Sequence, residues 1–93
     1  MTKNETIEFA LARNASEECG GRILHLSQQA TPEAKVLLDE AIAKFSQAGY
    51  KLKLIAQKNR QDGDVTRALQ GWEARRNSLR RSGIGVPDRD ARD

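Results

Sequence analysis

Hydrophobic and polar residues follow three patterns along the chain. Residues Ile7 to Ala12 alternate, with Ile7, Phe9 and Leu11 on one side and Glu8, Ala10 and Ala12 on the other. That period of two is the signature of a half-buried strand. Arg22 to Gln28 offers a partner strand with Leu24 and Leu26 inward. The polar link between them ends in Gly20-Gly21, two residues able to take positive φ. A β-hairpin with a loose loop is the economical reading. A helix over Thr6–Glu18 is its rival, because Glu8, Ala10, Leu11, Ala12 and Arg13 all tolerate that conformation.

The second pattern has helical period. Thr31 suits an N-cap, Pro32 the first helical position and Glu33 the positive end of the helix dipole. Ala34, Leu37, Leu38, Ala41, Ile42, Phe45 and Ala48 then share one stripe, and Gly49 sits where a helix of ordinary length ends. From Tyr50 to Ala56 the chain alternates again, which predicts a third strand carrying Tyr50, Leu52, Leu54 and Ala56 on one face. Against this, Leu38, Phe45, Leu52 and Asn59 recur every seven residues, as they would in one helix running through Gly49 to about Arg60 at a cost near ~1 kcal/mol for the glycine. The position of Gly49 decides for the strand.

The third pattern is a last helix, about Val65 to Arg81, capped by Asp64 after the turn Gln61-Asp62-Gly63 and stopped at Ser82-Gly83. Its stripe is Val65, Ala68, Leu69, Trp72 and Leu79, which makes Trp72 a core residue. The architecture expected is therefore α+β: hairpin, long amphipathic helix, third strand and basic C-terminal helix. The alternative is a β-hairpin plus an antiparallel two-helix hairpin. Residues 1–82 would form one small domain, and 83–93, with Gly85, Pro87 and five charges in the last six positions, a disordered tail.

Charge changes this picture most. Between Lys51 and Arg81 nine basic residues face three acidic ones, a net of +6, whereas the first fifty residues carry −2 and the last twelve −1. A chain whose overall charge is only +3 thus has one strongly cationic third, and such asymmetry points to an anionic partner. Beyond Trp72 only Leu79 is apolar, so the last turns read as a cationic prong. Arginine forks suit phosphate and carboxylate because they donate two hydrogen bonds at once. The candidate binding residues are Lys51, Lys53, Lys58, Arg75, Arg76, Arg80 and Arg81. Read blandly, they are a solvated helix end favourable to the dipole.

Other chemistry is sparse. Cys19 follows Glu17 and Glu18, which oppose a reactive thiolate, and is expected to be an inert thiol in an exposed loop. His25 is alone, so no zinc set assembles. Neither Gly20-Gly21 nor Gly83-Ile84-Gly85 is a phosphate loop. No nucleophile, acid–base pair or cofactor motif stands out, and the expectation is no enzyme, no cofactor and no metal. No run of apolar residues is long enough for a membrane span and no signal peptide is visible, which with a single cysteine suggests a cytoplasmic protein. The apolar fraction, 38%, is lean beside the usual ~45–50%, a figure that also counts Gly; forming a homodimer is one way to make up such a core. Two functions fit: a nucleic-acid-binding accessory or regulatory protein, with its basic helix on phosphates, or a protein-interaction module, inhibitor or adaptor, docking that helix on an acidic partner. The common RNA- and DNA-binding module patterns do not fit.

Overall fold

A computed structural model describes residues 1–87. They form three helices, α1 (Lys3–Ser27), α2 (Pro32–Lys58) and α3 (Gly63–Arg81). Among the described residues there is no strand, which corrects both the α+β reading and its hairpin-containing alternative. The hairpin over 7–12 and 22–28 is one helix, and the strand at 50–56 is the second half of another.

The long stripes explain why. In α1 the buried residues are Phe9, Ala12, Ser16, Cys19, Ile23 and Leu26, a spacing of three and four sustained over five turns. The local alternation at 7–12 is incidental, since Ile7 and Leu11 are 53% and 64% exposed. In α2 the buried positions Ala41, Phe45, Ala48, Leu52 and Ile55 continue the same spacing straight through Gly49. Two matching 3–4 seams zip α1 and α2 into an antiparallel pair, the largest interface of the molecule. A 27-residue helix spans about 40 Å, which sets the long dimension of the 43 × 24 × 23 Å body.

Caps mark each boundary. Thr2 and Glu5 form a reciprocal capping box on α1, with Glu5 N donating to Thr2 Oγ1 at 3.1 Å and Thr2 N to Glu5 Oε1 at 3.0 Å. Those bonds hold the Glu5 carboxyl below its ordinary pKa. Thr31 caps α2 as expected, accepting from Ala34 N at 3.1 Å, with Pro32 beginning the helix. The cap of α3 is Asp62 rather than Asp64: its Oδ1 accepts from Asp64 N at 3.0 Å and Val65 N at 3.4 Å. Gly83, at φ 86°, closes α3, with Gly83 N donating to Arg80 O and Ile84 N to Leu79 O, both at 3.0 Å. This is a Schellman ending.

Helix α3 lies against both others through Val65, Trp72 and Leu79, one residue every second turn. Trp72 is 1% exposed, as expected of a core residue. Its ring stacks on Phe45, centroids 5.2 Å apart, and its Nε1 donates to Phe45 O at 2.8 Å. The indole occupies the space that a side chain at Gly49 would fill. A Cβ there would lie 2.6 Å from Trp72 Cη2 and closer still to Cε2 and Cζ2. Of the tail expected from Gly83, residues 83–87 are described: Val86 is buried, and Pro87 O accepts from Ser46 Oγ at 2.7 Å. Residues 88–93 lie outside the described residues.

Two glycine substitutions separate tolerance from requirement. At Gly21, where an added Cβ meets nothing within 4 Å, alanine should stabilise the helix by about 0.5–1 kcal/mol. At Gly49 the same change should destabilise by about 2–3 kcal/mol through overpacking against Trp72, despite the better helix propensity. Urea unfolding of both variants is the measurement. Trp72→Ala alone should cost about 3–5 kcal/mol, and in that background Gly49→Ala should become harmless.

Candidate functional site

The seven basic residues singled out in the sequence do not form one surface, because successive residues of a helix point 100° apart. Lys51 sits on the edge of the α1/α2 pair facing away from α3, its Nζ 3.6 Å from Glu8 Oε1. Lys58 is on the same edge, beside Glu5. Lys53 turns to the opposite side, its Nζ 5.1 Å from the Trp72 ring centroid. There it meets Arg76, whose guanidinium is also 5.1 Å from that ring. Arg76 also reaches Asn77 Oδ1 at 3.3 Å and Glu73 at 4.0 Å, and its side chain is only 13% exposed.

Arg80 donates to Val86 O at 2.7 Å, stitching the end of α3 to the chain that follows. Arg81 is exposed on the back of α3. The last two turns are therefore no projecting prong: Leu79 and Val86 are 5% and 4% exposed and hold them to the body. Of the seven residues, the structure brings Lys53 and Arg76 together over Trp72, and Lys51 and Lys58 along one edge.

Arg75 lies elsewhere, in the trough between α1 and α3. Two glycines bed it there. A Cβ on Gly20 of α1 would lie 3.0 Å from Arg75 Cδ, and one on Gly71 of α3 would lie 3.3 Å from its Nη1. The guanidinium so laid across the trough donates to Ser16 Oγ at 3.5 Å, a polar group otherwise buried at 2% exposure. Two further arginines reach the same trough, Arg13 from α1 and Arg67 from α3, around a hollow of about 310 Å³. Arg13 stands over the Phe9 ring at 5.4 Å, and Arg67 pairs with Asp64 at 3.6 Å across two largely exposed side chains. Glu17 and Asp64 are the acidic residues of the lining.

Arg13 and Arg67 are absent from the set derived from sequence. Residue 13 falls just past the expected strand at Ile7–Ala12, and Arg67 on the back of the expected last helix. A helical register through residues 9, 12, 16 and 19 places Arg13 beside Gly20, seven residues on along the same edge, and is the signal that finds it.

The structure also places Cys19 and His25. Cys19 is buried in α1 rather than exposed in a loop, and burial raises its pKa against the lowering influence of Lys44 and Arg22. His25 is exposed, its Nε2 3.0 Å from Gln29 Nε2. Among the described residues no three His, Cys, Asp or Glu side chains converge as a metal set, and no helix is long and apolar enough to cross a membrane. No family model, curated protein or solved structure matches the chain.

The state of Cys19 is directly measurable. Both burial and a raised pKa withhold the thiolate, so at mildly alkaline pH a disulfide reagent should label the native protein slowly and the urea-unfolded protein at the rate of a free thiol. Rapid labelling of the native state would place the thiol at the surface.

Proposed function

We propose that this is a non-enzymatic helical binding protein whose α1/α3 trough takes phosphate groups of a nucleic-acid backbone. The observation that carries this reading is the convergence of Arg13, Arg67 and Arg75, from two helices, on one hollow. Three planar donors around a shallow trough suit a chain of phosphates. Arg75 is already extended along the trough by Gly20 and Gly71, so less side-chain freedom is lost when it binds. Arg81 adds exposed positive charge on the back of the same helix. Contacts of this kind position a backbone without reading its sequence. Glu17 and Asp64 limit the net charge of the trough, which favours modest, strongly salt-dependent affinity. The same arginines would also meet an acidic protein surface, and the experiment below tells the two apart.

Fluorescence anisotropy with a labelled DNA duplex and a single strand, at several salt concentrations, tests the proposal. With three guanidiniums engaged, log K should fall against log[salt] with a slope of about −2.7 on the duplex. Each single Arg→Gln change at positions 13, 67 or 75 should reduce that slope by about 0.9, and the triple variant should abolish measurable binding while keeping the parent's helical circular-dichroism spectrum. Changing Lys51 and Lys58 to Gln, on the far edge, should alter binding much less. A triple variant that binds like the parent, or a parent that binds acidic polypeptides but neither nucleic acid, overturns the reading.

A further inference from the structure

We infer that the open edge of the α1/α2 pair, on the side away from α3, is a docking surface for a second copy of this chain. This edge carries a hollow of about 300 Å³ lined by Glu8, Leu11, Ala15, Lys44, Ala48 and Lys51, among others. Its floor is apolar, and Leu11 stands 64% exposed beside it. A smaller hollow with Leu54 and Lys58 continues the edge past Glu8 and Lys51. Among the described residues no third helix covers this side, whereas α3 covers the other with Trp72.

The occupant follows from the order of charges on the two walls. Steps of seven residues keep a side chain on the same edge, so the α1 wall carries Glu8, Arg22 (through Ala15) and Glu18, seven residues on from Leu11. The α2 wall carries Lys51, Lys44 and Glu40. Contacts between Lys51 and Glu8 at 3.6 Å and between Asn59 and Glu5 at 3.3 Å set the relative heights of the two antiparallel helices. At those heights Glu8 is level with Lys51, Glu18 with Lys44 and Arg22 with Glu40. One wall reads minus, minus, plus; the other reads plus, plus, minus.

A two-fold axis running along the helices lays α1 of one copy over α2 of the other at unchanged height. Every charge on one wall then faces its opposite on the other copy. The resulting surface is self-complementary, which a two-fold interface requires. It encloses Leu11, Ala15, Ala48 and Leu54 from both copies in a four-helix layer. A two-fold axis across the helices, centred on the hollow, would instead bring Lys44 against Lys51 of the second copy, so about that centre charge favours the first arrangement. The Arg13/Arg67/Arg75 trough lies on the opposite edge of α1, and the two assignments stand or fall separately.

Sedimentation velocity on the full chain, from about 1 to 200 µM at low salt, should show a monomer–dimer equilibrium in the micromolar range. Glu8→Lys with Glu18→Lys should be monomeric over that range, and so should Lys44→Glu with Lys51→Glu. An equimolar mixture of the two double variants should dimerise again, because each supplies the wall the other now complements. Glu8 and Lys51 also pair within one chain, so Leu11→Asp serves as the independent test. It alters an exposed side chain and should weaken dimerisation at least about tenfold with the melting transition unchanged. A parent that remains monomeric at the highest concentration overturns the inference. So does a dimer indifferent to Leu11→Asp, or a pair of charge-reversed variants that fail to rescue each other.

Discussion

The insertion of Trp72 against Gly49 is the constraint on which the rest of this molecule depends. In a regular helix the carbonyl of Phe45 accepts from the N–H of residue 49. With no side chain at that position, the indole can lie flat against α2 and donate its Nε1 to the same carbonyl at 2.8 Å. The close approach, the ring stacking on Phe45 and the satisfied indole are one event with three aspects. A glycine in the middle of a 27-residue helix carries a propensity cost near ~1 kcal/mol. Burying most of an indole outweighs that several-fold, at about 25 cal/mol per Å² of apolar surface. Once Trp72 is seated, the position of α3 is set. The placement of Arg75 on the α1 side and of Arg76 on the α2 side follows from the 100° between them.

Charge is distributed by the same geometry. Thirty-one residues with a net of +6 look like one cationic surface when written in a line. Wound into two antiparallel helices, they divide among three faces, and several become part of the packing. Arg76 and Lys53 each stand 5.1 Å from the centroid of the Trp72 ring, a contact in which the quadrupole of the ring attracts the cation. Their aliphatic stems shield the indole while their charged ends stay near the surface. Arg80 satisfies a carbonyl of the returning chain. Arg67 and Arg75 alone join the α1/α3 trough, where they meet Arg13, more than fifty residues away in sequence.

How much of this could be read from sequence depends on how local its cause is. The start of α2 was legible because Thr31, Pro32 and Glu33 act within one turn, and so was the end of α3, where Gly83 alone supplies the required positive φ. The burial of Trp72 was legible from a single helical stripe. Gly49 reads locally as a terminator because the reason for it lies twenty-three residues away in Trp72, and no local rule separates a glycine that stops a helix from one that receives an indole. Gly20 misleads in the same way, since the partner that beds against it is Arg75. The alternation of Ile7, Phe9 and Leu11 had equal standing with a helix over six residues, and only the full span from Phe9 to Leu26 decides between them. The site inherits the same limits: a cluster assembled across α1 and α3 stays invisible while residue 13 lies between an expected strand and a loop.

The chain leaving α3 has a role of its own. Ser46 Oγ donates to Pro87 O at 2.7 Å and Arg80 Nη2 to Val86 O at 2.7 Å, while Val86 is buried. The end of a helix is ordinarily where fraying begins and where backbone amides first exchange with solvent. Here that end is strapped to α2, and the other end is held by the Asp62 cap. Turn-by-turn peeling of α3 is therefore opposed from both directions. Its amides are released chiefly when the strap, the Schellman turn and the indole detach together, so α3 and the six residues after it behave as one cooperative unit, opening onto an α1/α2 pair that stays zipped.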